Sequence, residues 1–159
     1  MQHKGSLAGF SCRSLWSQHL GECVGPVNWI AVLLAALAAA LVAFVWYGPL
    51  FGRAKLESVG PGRLAGRSSP ARTFALTSGF LLLMAVMMGH MFARIGAETL
   101  LAKPWLYFMM AGGLAVTFVV PALWVSYTHM RASTRLALID GGYWIAAYLA
   151  MGATFWGLG

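Results

Sequence analysis

The chain has 159 residues, 60% of them apolar and 9% charged, and a net charge of +7. A soluble domain carries roughly a quarter charged residues, so this composition excludes an ordinary soluble enzyme, a disordered chain and a disulfide scaffold. An integral membrane protein remains.

The first 26 residues differ in character from the rest. They hold His3, Lys4, Cys12, Arg13, His19, Glu22 and Cys23, with no apolar run long enough for a signal-peptide core. They read as a poorly ordered tail. The alternatives are a metal-binding tail or a Cys12–Cys23 disulfide, although two cysteines eleven apart lack zinc-ligand spacing.

Residues 27–159 read as a single transmembrane domain with apolar spans at 27–51, 74–93, 104–127 and 136–158. About 20 apolar residues are needed to cross the hydrocarbon core, so each stretch crosses once. Backbone groups have no water to bond there, and the alternation of barrel strands is absent, so the spans are helices. The fold class is therefore all-α: a polytopic membrane protein, a bundle of four transmembrane helices. Trp29 and Trp46, Trp105 and Trp124, and Trp156 fall at span ends, as an aromatic belt would. Gly60-Pro61-Gly62, Ser68-Ser69-Pro70 and Lys103-Pro104 read as loops, and Ser133 or Thr134 as the N-cap of the last helix.

Loops 52–73 and 128–135 carry Arg53, Lys55, Arg63, Arg67, Arg72, Arg131 and Arg135, against Lys4, Arg13, Arg94 and Lys103 on the other side. The excess predicts those two loops in the cytoplasm of a bacterial inner membrane and both termini outside. The positive charge suits anionic lipid headgroups and gives no reason to invoke nucleic acid.

Within the spans the ionisable residues are Asp140 and His90, with Arg94 at an edge. Such groups are costly in a bilayer, and each is a candidate functional residue. Counted at 1.5 Å per residue, His90 lies about 24 Å into its helix and Asp140 about 6 Å, from the same side. They therefore do not pair. Asp140 is level with Trp46, Tyr47, Ser126, Tyr127 and Arg53; His90 is level with Asn28 and Trp29. Asp140 reads either as a structural carboxylate held by Tyr or Arg near a helix start, or as a proton or ligand site. His90 reads as an interfacial histidine or as a metal or haem ligand.

Met84, Met87, Met88 and Met91 share a helix face beside His90, as a copper(I) site would and as ordinary packing would. Small residues repeat at Gly142, Ala146, Ala150, Ala153 and Gly157, and at Ala31, Ala35, Ala39 and Ala43. Such seams let helices approach closely, within the bundle or between subunits. Pro121 frees the carbonyl of Thr117 and predicts a kink, either a tolerated one or a hinge. Gly79-Phe80 before Met88-Gly89 echoes Gly142-Tyr143 before Met151-Gly152 at equal spacing, a sign of a duplicated hairpin. No catalytic triad, phosphate loop, paired catalytic carboxylates or zinc motif is present.

Two motifs carry a family resemblance. Val27-Asn28-Trp29-Ile30-Ala31-Val32, with Trp46-Tyr47-Gly48-Pro49-Leu50-Phe51-Gly52, resembles the first helix of the membrane family known as domain of unknown function 1761. Leu138-Ile139-Asp140-Gly141-Gly142-Tyr143-Trp144 with Met151-Gly152-Ala153 resembles that family's closing helix. The resemblance implies a compact four-span protein, chiefly bacterial, with no established activity. It also marks Asn28, Trp46, Tyr47, Pro49, Asp140, Gly142 and Tyr143 as positions to test.

Three functions follow as expectations. The first is a non-enzymatic accessory or interaction subunit, without cofactor, that partners the lipid bilayer and forms a homo-oligomer or joins a larger membrane complex. The second is a small oligomeric transporter or channel, proton-linked through Asp140 with Tyr47 or Tyr127. The third, disfavoured by the separation of His90 and Asp140, is an enzyme acting on a lipid or quinone.

Overall fold

The computed structural model describes residues 27–59 and 69–158. The tail 1–26, with Cys12 and Cys23, lies outside them, as do Gly60-Pro61-Gly62, Arg63 and Arg67 of the first loop. Among the described residues there is no strand. Helix α1 (Trp29–Val45) runs into a π-helical turn (Trp46–Leu50) and then into the short α2 (Gly52–Val59). Helix α3 (Pro70–Ile95) is followed by α4 (Ala97–Ala102) and α5 (Trp105–Leu114). A second π-helical turn (Ala115–Val119) joins α5 to α6 (Val120–His129), and α7 (Thr134–Leu158) closes the chain. Four of these stretches, Trp29–Leu50, Ala71–Ile95, Trp105–His129 and Thr134–Leu158, are long and apolar enough to cross a membrane. The protein is a polytopic, all-α bundle.

Several boundaries differ from the sequence reading for local reasons. The second span begins at Pro70 because Ser69 caps it, accepting the Arg72 amide at 3.3 Å, and proline suits the first helical position. Ser133 caps α7 through the Leu136 amide at 3.3 Å. Part of the first loop is helical: α2 occupies Gly52–Val59. Pro121 is accommodated by the π turn just before it, where the Val120 amide bonds the Ala115 carbonyl. The Phe51 amide likewise reaches back five residues to Trp46 O, at 2.9 Å, around Pro49. A π turn absorbs the amide that proline lacks by adding one residue to the ladder. Gly96, at φ 86°, ends α3 in a conformation that glycine adopts without strain.

Helix α7 is the centre. It packs against α1, α2, α5 and α6, and α3 packs chiefly on α1. Over half (56%) of its apolar window is buried, against 22% or less for the other spans. Residue sizes are sorted to match. On α1, Ala31, Ala35 and Ala39 are fully buried, while Leu33, Leu37, Leu41 and Phe44 face outward. Lipid is as apolar as leucine, so the gain comes from close backbone approach and dispersion.

The small-residue seam of the fourth helix divides between the inside and the outside of the bundle. Gly142, Ala146 and Ala150 are half-buried, and Ala153 and Gly157 are exposed. The inward face is Tyr143, Ala147, Met151, Gly152 and Phe155, because α7 meets neighbours on several sides. Met87 faces outward while Met88 is buried, so the methionines do not share one inward face.

The internal echo has a structural counterpart. Met88 and Gly89 on α3 are buried against α1, with a Cβ at Gly89 lying 2.9 Å from Val32 Cγ2. Met151 and Gly152 on α7 are buried against α5, where a Cβ would lie 2.9 Å from that of Ala111 and 3.0 Å from Tyr107 O. Three residues after each glycine come Phe92 and Phe155, whose rings meet at 5.3 Å. Each hairpin thus seats its returning helix with the same Met-Gly step.

Gly152→Ala should overpack this contact, since one neighbour is backbone and cannot swing away. A cost of about 1–3 kcal/mol is expected, read as a lowered melting temperature in detergent. Gly157→Ala, with nothing within 4 Å of its Cβ, should leave that temperature unchanged or slightly raised.

Candidate functional site

The buried charge is Asp140, 5% exposed, in the second turn of α7. Its Oδ1 accepts the Tyr47 hydroxyl at 2.8 Å and the Lys55 ammonium at 3.0 Å. Its Oδ2 accepts the Tyr127 hydroxyl at 2.5 Å. The donors come from three elements: the first π turn, α2 and α6. Lys55 also lies 3.8 Å from the centroid of the Tyr47 ring, a cation–π contact. Its side chain remains 35% exposed, so the pair sits where the bundle meets polar surroundings.

Neighbouring contacts fix this geometry. The Trp46 indole donates to Ile139 O at 3.0 Å, tying the π turn to the residue before Asp140. Gly142 leaves room for that indole, because a Cβ there would lie 3.0 Å from Trp46 Cζ2. Trp46 is thus an internal tether. Tyr47 packs on Tyr143 at 4.9 Å between ring centroids. The Tyr143 hydroxyl is buried without a hydrogen-bond partner among the described residues. The Arg135–Glu57 pair, at 3.4 Å with both side chains exposed, adds a weak second strap from α7 to α2.

His90 lies at the opposite end. It is exposed, with Nδ1 3.1 Å from Val86 O and its ring 6.4 Å from Trp29 in an edge-on contact. Asn28 works at that end too. Its Oδ1 accepts the Ala31 amide at 3.1 Å, capping α1, and its Nδ2 donates to Leu158 O at 3.0 Å, capping α7. The structure therefore gathers Tyr47, Tyr127 and Asp140, with Tyr143 alongside, and leaves His90 and Asn28 apart.

Lys55 was missed as a partner. Sequence reasoning put Arg53 at this depth, but Arg53 is exposed on α2 while Lys55 turns inward. The available signal was that a carboxylate in a span needs a cation, and several lay within reach on the basic side. Among the described residues, no three of His, Cys, Asp or Glu converge as metal ligands.

The carboxylate is held between two phenols and an ammonium, with three of its roughly four lone-pair sites occupied. Comparison with known proteins agrees with the sequence motifs. The family described as "Protein of unknown function (DUF1761)" matches residues 30–156. The chain belongs to this family. Asp140, Tyr47 and Tyr127 all lie within the matched DUF1761 segment. No curated protein and no solved structure was found to match the chain.

Lys55→Met should leave a buried carboxylate with only neutral donors, at a cost of about 1.5–3 kcal/mol, the range of a hydrogen bond to a charged group. Asp140→Asn should cost less, because Lys55 can turn to solvent and the amide still bonds a phenol. The double variant should lose less than the sum of the two, and a double-mutant cycle on melting in detergent measures that coupling.

Proposed function

We propose that this DUF1761 protein is a non-enzymatic accessory or interaction subunit of a bacterial inner membrane, acting through helix contacts with itself or a larger complex. The observation that carries the reading is Asp140: its hydrogen bonds are taken up by the chain's own Lys55, Tyr47 and Tyr127. A group so occupied holds helices together rather than turning over a substrate. Exposed small residues supply a contact surface. Ala153 and Gly157 face outward on α7, and Gly79, Gly113 and Gly157 have open space where a Cβ would stand. The reading also places the end bearing Arg53, Lys55, Arg72, Arg131 and Arg135 in the cytoplasm, by the positive-inside rule.

In mild detergent the purified full chain is expected as two or more copies, or with a second membrane protein. A particle of one 17.1 kDa chain with no companion overturns the proposal. Gly157→Trp should shift an oligomer towards single chains if that face makes the contact.

A second reading, a proton-linked transporter or channel, draws on the Tyr143 hydroxyl. It is buried beside Tyr47 and unpartnered among the described residues, a position where a water or passing group could bond. In proteoliposomes loaded with a pH-sensitive dye, Asp140→Asn should then slow proton entry. An unchanged rate eliminates this reading.

A further inference from the structure

At the end of the bundle opposite Asp140, a half-open cavity of about 270 Å³ lies between α1, α3, α4, α5 and α7. Asn28, Phe92, Ala97, Leu100, Tyr107 and Phe155 are among its lining residues. Almost every side chain there is apolar, and the Asn28 amide is already committed to the two helix ends. Tyr107 is the exception. It is 7% exposed, its ring packs on Phe92 at 4.7 Å, and its hydroxyl has no hydrogen-bond partner among the described residues. The ring is enclosed, but the hydroxyl oxygen is not among the fully buried atoms, which leaves it within reach of an acceptor that enters the half-open cavity.

Depth and size identify what would complete it. Tyr107 lies two residues beyond the exposed Trp105, about 3 Å further into the span at the α-helical rise. Tryptophan rings favour the headgroup level, so Tyr107 lies just beneath it, at the boundary with the hydrocarbon. Lipid ester carbonyls sit at that boundary, and they accept hydrogen bonds without donating any. The cavity holds about nine groups at roughly 30 Å³ each, enough for the upper part of one acyl chain and too little for a whole lipid. We propose that the cavity binds the ester-linked end of a phospholipid acyl chain, with the Tyr107 hydroxyl donating to the ester carbonyl.

The test compares diester and diether phosphatidylglycerol, which differ only in the two ester carbonyls, added to the delipidated full-length protein and followed by native mass spectrometry. Wild type should retain one diester lipid per chain and prefer it over the diether by about two- to tenfold, the range of one net hydrogen bond. Tyr107→Phe should abolish the preference while keeping the melting temperature. Ala97→Trp should fill the cavity and release both lipids. Leu101→Trp, on the same helix but exposed and outside the cavity, should change nothing. Equal retention of the two lipids by wild type overturns the proposal. So does equal loss from Ala97→Trp and Leu101→Trp, which would mark ordinary surrounding lipid. Retention of a ligand without an ester in place of the phospholipid also overturns it. If Ala97→Trp fails to fold, the ester preference of wild type and Tyr107→Phe decides the matter.

Discussion

A carboxylate inside an apolar bundle is the constraint on which one end of this structure depends. Asp140 cannot be left unpaired in a low-dielectric interior, so the chain must bring donors to it. Those donors lie on the first π turn, on α2 and on α6, and they meet only when α1, α6 and α7 are all in register. Both proline-associated π turns precede or contain the relevant phenol. Tyr47 lies within the turn Trp46–Leu50, and Tyr127 is carried by α6 just after the turn Ala115–Val119. One added residue rotates whatever follows by about 100° around the helix axis. The prolines therefore do more than bend their spans: they set which side of each helix meets α7.

Away from that end, the bundle is held by shape. The fully buried alanines of α1 and the glycines at 89 and 152 are too small to gain much from leaving water. Their contribution is to let backbones approach until dispersion and close packing act over a long seam. Large side chains such as Leu37, Leu41 and Phe44 are turned to the outside, where lipid solvates them. A charged, hydrogen-bonded clamp fixes register, and a tight apolar seam supplies contact. Neither does the work of the other.

This division explains which features were legible in the sequence. Span number, helical character and the separation of His90 from Asp140 follow from length and rise alone, which need no tertiary information. The family resemblance rested on motifs at both ends of the domain, and the matched segment runs between them. Tyr47 and Tyr127 could be placed at the depth of Asp140 by counting, and both bond it. Lys55 could not, because the choice between Arg53 and Lys55 depends on α2 forming directly after the π turn. Which positions of the α7 seam turn inward was hidden for a related reason. Spacing shows that small residues share a face, but not which face turns inward on a helix surrounded by neighbours. Ala153 and Gly157 look like packing positions by spacing, whereas Gly152, between two larger-looking neighbours, makes the close contact.

The two-hairpin pattern shows where the halves diverge. Met88-Gly89 and Phe92 on α3 correspond in spacing to Met151-Gly152 and Phe155 on α7, and the phenylalanines meet each other. By the same offset of 63 residues, Asp140 corresponds to Thr77 and Tyr143 to Phe80, both exposed on α3. The shared part of the pattern is therefore the apolar end, where Gly89, Phe92 and Phe155 border the cavity beside Tyr107. The unshared part is the polar end, where the second half alone carries a buried carboxylate among the described residues and has become the centre of the bundle. A helix bearing a buried charge has to be enclosed by donors, and enclosure puts it in the middle. The asymmetry of the fold, α7 central and α3 peripheral, thus follows from which half bears the aspartate.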